Sequence, residues 1–142
     1  MERKVRKCIP MMCKTPPQLT SHGQFNGYVA IPYELWDRMT RAIKFSSSNH
    51  EFDMRMEYEY VPAEIYCPHG GFTFGHQYDD FSLDEDFIPM LDIRKVDTRN
   101  YFVIGFDTCH HSDNADTWNA KTVREEVFTL YKSIQDYIKV RY

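Results

Sequence analysis

Tyr101-Phe102-Val103-Ile104-Gly105-Phe106-Asp107 decides the fold class of this chain. In an extended segment successive side chains point to opposite faces. Phe102, Ile104 and Phe106 therefore share one face, and Tyr101, Val103 and Gly105 share the other. Both faces are apolar, the pattern of a strand covered on two sides within a sheet, and the predicted strand ends at Asp107. Downstream, Val123, Val127, Leu130, Tyr131, Ile134 and Ile138 recur at helical spacing and form one apolar stripe. Thr122 and Glu125 have capping-box spacing, and Glu125 and Glu126 early with Lys139 late suit the helix dipole. A two-faced strand followed by a one-faced helix predicts that the helix lies on the sheet.

Working outward, Gly27-Tyr28-Val29-Ala30-Ile31 reads as a second strand, and Pro32 opens a helix where its missing N–H is no loss. Leu35, Met39, Ala42 and Ile43 give that helix a stripe ending near Phe45, ahead of the loop residues Ser46-Ser47-Ser48-Asn49. Met56 to Tyr60 alternates with Glu57 and Glu59 as a half-exposed strand would, with Pro62 placing it at an edge or a bend. Ala63 to Cys67 and Phe72-Thr73-Phe74 flank Pro68-His69-Gly70-Gly71, which predicts a hairpin about that turn. Residues 77–100 are acidic (Asp79, Asp80, Asp84, Glu85, Asp86) and read as a surface connection with a short segment at Phe87 to Ile93. Residues 1–25, punctuated by Pro10, Pro16, Pro17 and Gly23, read as an irregular leader. The expected fold is α+β: a mainly antiparallel sheet of about four to five strands with one N-terminal and one C-terminal helix packed on it, residues 26–142 forming a single domain.

Composition bounds the partners. The chain has 142 residues, enough for one hydrophobic core, and its 15% aromatic content opposes disorder. A net charge of −4 argues against bulk nucleic-acid binding. The basic residues Arg3, Lys4, Arg6 and Lys7 read as a frayed, solvated terminus, or as a short arm for an anionic partner. No apolar run reaches membrane-spanning length, and none follows the basic residues as in a signal peptide, so the expected setting is cytoplasmic. Cys8, Cys13, Cys67 and Cys109 lack paired C-x-x-C spacing and are expected as free thiols, with a zinc pair at Cys8 and Cys13 the minor alternative.

Chemistry concentrates in Gly105-Phe106-Asp107-Thr108-Cys109-His110-His111-Ser112-Asp113. A strand delivers a carboxylate at its end, and two imidazoles and a second carboxylate follow on a loop. Three readings fit these residues. Asp107 and Asp113 can be turn formers with His110 and His111 incidental. Asp107, His110 and Asp113 can hold a divalent cation. Or the group is a metal-free polar site, with His69, Asp107 and His110 as candidates for acid–base roles. His69-Gly70-Gly71 is either a plain glycine turn or a close-approach loop for a ligand. Pairing of its hairpin with the central strand would bring His69 to face Asp107. Gly-x-Ser-x-Gly, the Walker loop and Gly-x-Gly-x-x-Gly are absent, and the acidic run lacks calcium-loop spacing.

Three motifs in order, Gly27-Tyr28-Val29-Ala30-Ile31-Pro32, His69-Gly70-Gly71-Phe72-Thr73-Phe74 and Ile104-Gly105-Phe106-Asp107-x-x-His110-x-x-Asp113, precede a helix with Val123, Glu125 and Glu126. Together they resemble a group of small bacteriophage and prophage proteins, over roughly residues 26–138. The resemblance implies a phage or mobile-element origin, with His69, Gly70, Gly71, Thr73, Asp107, His110 and Asp113 as signature residues; His111 and the leader depart from the pattern.

The expected function is that of a phage accessory protein, of counter-defence type, in the cytoplasm of the host bacterium. It would act by binding a small polar, nucleotide-like ligand, or a host defence protein. His69, Gly70, Gly71, Thr73, Asp107, His110, His111 and Asp113 are the expected ligand-binding residues. The alternative is a small, metal-assisted or metal-free hydrolase of a phosphoester or nucleotide-like substrate at the same His/Asp residues. No cofactor is favoured; a divalent metal is the one these residues would admit.

Overall fold

The computed structural model describes residues 3–15, 23–47, 56–110 and 113–142. Five strands form one sheet: β1 (Ile9–Lys14), β2 (Phe25–Pro32), β3 (Phe74–Asp80), β4 (Phe87–Pro89) and β5 (Arg99–Phe106). The order is β3-β5-β2-β1-β4, and every pairing is antiparallel. Two helices, α1 (Tyr33–Ser47) and α2 (Ala120–Arg141), complete the α+β architecture. Among the described residues no helix is long and apolar enough to cross a membrane.

The two apolar faces of β5 serve two cores. Phe102, Ile104 and Phe106 join Val29 and Ile31 of β2 beneath both helices, against Trp36 and Met39 of α1 and Val123, Val127, Leu130 and Ile134 of α2. Trp36 stacks flat on Phe102, ring centroids 4.3 Å apart and planes within 6°. α2 comes close to the sheet at Gly27, where a Cβ would lie 2.4 Å from Val127 Cγ2 and 2.6 Å from the Phe106 ring. The α1 stripe is displaced from the expected one: Met39 is buried but Ala42 is exposed, and Trp36 and Thr40 carry the inward face.

On the other face, Tyr101 and Val103 pack with Ile9, Met11 and Ala30 beneath Phe81 and Val96. Of residues 77–100, expected as a surface connection, 77–80 belong to β3 and 99–100 to β5, and the stretch between them closes the second core. Phe81, Phe87, Leu91, Ile93 and Val96 turn to this core, while Leu83 and Ile88 stay exposed and Met90 packs on the helix-side core.

Four other segments differ from expectation. Ile9–Lys14 lies in the predicted leader yet is an interior strand between β2 and β4. Pro10 is tolerated there because its carbonyl accepts from Met90 N, so its missing N–H points to the β4 side, outside the ladder that spans Met11 to Cys13. Arg6 is no free arm: its guanidinium pairs with Glu34 at 2.7 Å and bonds the carbonyls of Asp97, Arg99 and Asn100. Glu57–Tyr60 is a 3-10 turn rather than a strand, pinned where Glu57 accepts from Trp36 Nε1 at 3.0 Å and pairs with Lys44. Residues 63–67 are not a strand either, so the predicted hairpin does not form; β3 pairs with β5 instead. Cys8 is buried on the helix side of the sheet, burial pushing its thiol up to about 12, and it packs in a different core from the face that carries Cys13. The Cys8–Cys13 zinc pair therefore has no geometric basis.

Candidate functional site

The pairing of β3 with β5 creates the site. Phe74 stands opposite Gly105 in the antiparallel register. Residues just before β3 and just after β5 therefore meet at one end of the sheet, tied by Thr73 N donating to Gly105 O at 3.0 Å. The two motifs that carry histidines are these two loops, although the turn at 68–71, closed by Gly71 N to Pro68 O at 2.8 Å, belongs to no hairpin.

Asp113 is the centre of the cluster. The 107–113 loop closes on itself as Asp113 N donates to His110 O at 2.9 Å, which turns the Asp113 carboxylate inward until its side chain is 3% exposed. His69 Nε2 donates to Asp113 Oδ1 at 2.8 Å. His110 donates twice to Oδ2, from Nδ1 and from its backbone N, each at 2.9 Å. Burial pushes the Asp113 carboxyl up, but the His110 backbone N–H and the His110 and His69 rings pull it down further, and it settles below the usual aspartate value. Asp113 is thus a carboxylate, and each ring nitrogen facing it carries the proton. The two imidazoles remain 27% and 35% exposed, their centroids 5.1 Å apart.

Asp107, the carboxylate expected at the end of the central strand, is 38% exposed on its side chain. Its Oδ1 accepts from Cys109 N at 3.1 Å, a turn-capping bond, and stands 3.5 Å from His110 Nδ1. The strand ends before its side chain, so the loop and not the sheet sets its environment. Thr73 contributes a backbone bond from an exposed position, and Gly71 has nothing near its missing side chain. His111 lies outside the described residues.

Gly70 is fixed by its neighbour. Its φ is +69°, and a Cβ would stand 2.3 Å from His110 Cε1 and 2.5 Å from Nε2. Gly71 has φ +79° with open space around it. Alanine at 71 should therefore incur only the left-handed backbone penalty, about 1–2 kcal/mol. Gly70→Ala should add to it the displacement of the His110 ring, a further 1–3 kcal/mol or so. Urea denaturation of both variants checks this, and equal losses would show that the 68–71 turn does not lean on His110.

Three supporting residues escaped the sequence reading in these roles. Glu126 Oε1, on the first turns of α2, accepts from His69 N at 3.0 Å and from Tyr66 Oη at 2.8 Å, which anchors the loop before β3. The Trp118 ring lies against His69, centroids 4.0 Å apart. Asn119 rather than Thr122 caps α2, its side chain accepting from Lys121 N and Thr122 N. Only Glu126 left a trace in the sequence, as an early acidic residue on the helix; its direction depends on how α2 lies across the sheet.

Among the described residues, His69, His110 and Asp113 form the group able to hold a metal ion, one donor atom from each lying within 4.8 Å of the others. This replaces the expected Asp107, His110 and Asp113 set: His69 enters through the β3–β5 pairing, and Asp107 turns toward Cys109 N. Comparison with known proteins brings no match among family models, curated proteins or solved structures.

Proposed function

We propose that the protein binds a small polar, nucleotide-like ligand at the His69–Asp113–His110 cluster, as an accessory protein of phage or mobile-element type with a counter-defence role. The observation that carries this reading is the buried Asp113 carboxylate, which holds two half-exposed imidazoles from loops far apart in sequence. A turn cap needs neither histidine, and a solvated loop would not bury its carboxylate. Binding polar groups pre-ordered by their own hydrogen bonds is a common basis of ligand recognition. The recessed carboxylate favours a small ligand over a host protein as the partner. The phage setting and the counter-defence role rest on the motif resemblance.

The test is a nucleotide titration followed by backbone amide NMR. Shifts should concentrate on residues 69–73, 107–110 and 113. A nucleotide panel that moves none of them contradicts the proposal. The second reading, a metal-assisted phosphoester hydrolase, is favoured by the three donor atoms that can share one ion. Turnover of p-nitrophenyl phosphate in the presence of zinc or manganese, lost on chelation, would select it.

A further inference from the structure

We infer that His69, His110 and Asp113 hold a divalent first-row transition cation, and that this cation, rather than a basic side chain, receives the anionic group of the ligand. The inference rests on the ligand class proposed above. Its first ground is charge. Asp113, Asp107 and Glu126 bring three carboxylates to two imidazoles. The local charge is −3 with both rings neutral and still −1 with both protonated. Among the described residues no lysine or arginine pairs with any of the three, and the charges acting on Asp113 come from its histidines. A phosphate meeting this surface directly would be repelled in either protonation state. A dication is attracted by the same surface and offers the phosphate oxygens a ligand position.

The second ground is the donor set. Two imidazole nitrogens and one carboxylate oxygen suit zinc, cobalt, nickel, manganese or iron over magnesium or calcium. Three protein ligands leave positions for water or a ligand oxygen. The two imidazole nitrogens already face one carboxylate, His69 Nε2 at 2.8 Å from Asp113 Oδ1 and His110 Nδ1 at 2.9 Å from Oδ2. Donors about 2.1 Å from one ion stand about 3.4 Å apart at the tetrahedral angle, so from a set within 4.8 Å a closure of about 1.4 Å at most, shared between the rings and the carboxylate, completes the site. A neutral imidazole that gives its inward nitrogen to the metal first moves its proton from that nitrogen to the outward one, a change of tautomer with no net loss of a proton. The third ground is support around the donors: Glu126 holds the His69 backbone, Trp118 backs its ring, and the His110 N–H fixes Asp113.

The test uses the full chain after chelator treatment, with cobalt(II) titrated optically and zinc by calorimetry. One equivalent should bind, with cobalt ligand-field bands typical of nitrogen and oxygen donors. His110→Ala and His69→Gln, checked for folding by circular dichroism, should each weaken zinc at least 100-fold, and Glu85→Ala should leave it unchanged. AMP and inorganic phosphate should then bind the zinc-loaded chain and not the chelated one; a response to AMP alone identifies a nucleotide as source, a response to both a phosphate. Absence of cation binding at millimolar concentration, or binding unmoved by both histidine variants, overturns the inference. AMP binding of equal strength in chelator overturns it while leaving the proposed ligand class intact. Cation binding with no AMP or phosphate binding overturns the cation's role toward the ligand, and that ligand class with it.

Discussion

Val127→Asp should remove about 3 kcal/mol or more of stability, enough to leave much of the chain unfolded if its total is ordinary. Val127 has no exposed surface and packs against Gly27 of β2, in the same core as Phe106. The absence of a side chain at Gly27 is what admits the valine, so no pocket of solvent or polar partner stands ready for a carboxylate. The aspartate must either be buried unpaired, raising its pKa by the cost of desolvation, or push α2 off β2 and expose the core around Leu130 and Ile134. Chemical denaturation decides the matter. A loss below about 0.5 kcal/mol, the range of surface substitutions, would show that the stripe of α2 faces solvent.

The second large effect concerns the site. Asp113→Asn should abolish ligand and cation binding, by 100-fold or more, with a smaller effect on stability, about 1–2 kcal/mol. The amide nearly matches the carboxylate in shape but presents one acceptor oxygen where three N–H groups now point. One imidazole loses its anchor, and the cation loses its one carboxylate ligand and one of the three charges that attract it. Solvent reaching the two partly exposed rings screens their bonds to Asp113, which keeps the stability loss small. Asp107→Asn is the informative companion. Its carboxylate is bonded to Cys109 N and only near His110, so binding should weaken far less than in Asp113→Asn. The reverse ranking would return the site to Asp107.

Much of this architecture is legible in the sequence because periodicity and burial agree where packing is two-sided. Tyr101 to Phe106 and Val123 to Ile138 each carry enough apolar positions to fix their own geometry. Glu57 to Tyr60 misleads because four alternating residues fit a strand and a 3-10 turn alike; Trp36 and Lys44, distant in sequence, choose the turn. Ile9 to Lys14 is hidden by Pro10, whose missing donor matters only if β4 extends beside it. For the site, both histidine motifs and their juxtaposition follow from the sequence once β3 lies beside β5. The choice of Asp113 over Asp107 as the buried carboxylate does not, since the His110-to-Asp113 turn makes it and no strand or helix pattern encodes that turn. Tyr66 and Trp118 are silent and Glu126 shows only as an early acidic residue of the helix, because their roles depend on where α2 lies relative to the loop before β3.

The convergence of the two motifs on Asp113 is tested most directly by nitrogen-15 NMR of the imidazole rings in the metal-free protein, at a pH where both are neutral. A ring bonded to a carboxylate through one nitrogen keeps its proton there. His69 should be the Nε2–H tautomer and His110 the Nδ1–H tautomer, each held in one form, and Asp113→Asn should release at least one of them into exchange. Two histidines averaging between tautomers as in a free peptide, unmoved by Asp113→Asn, would contradict the existence of the site.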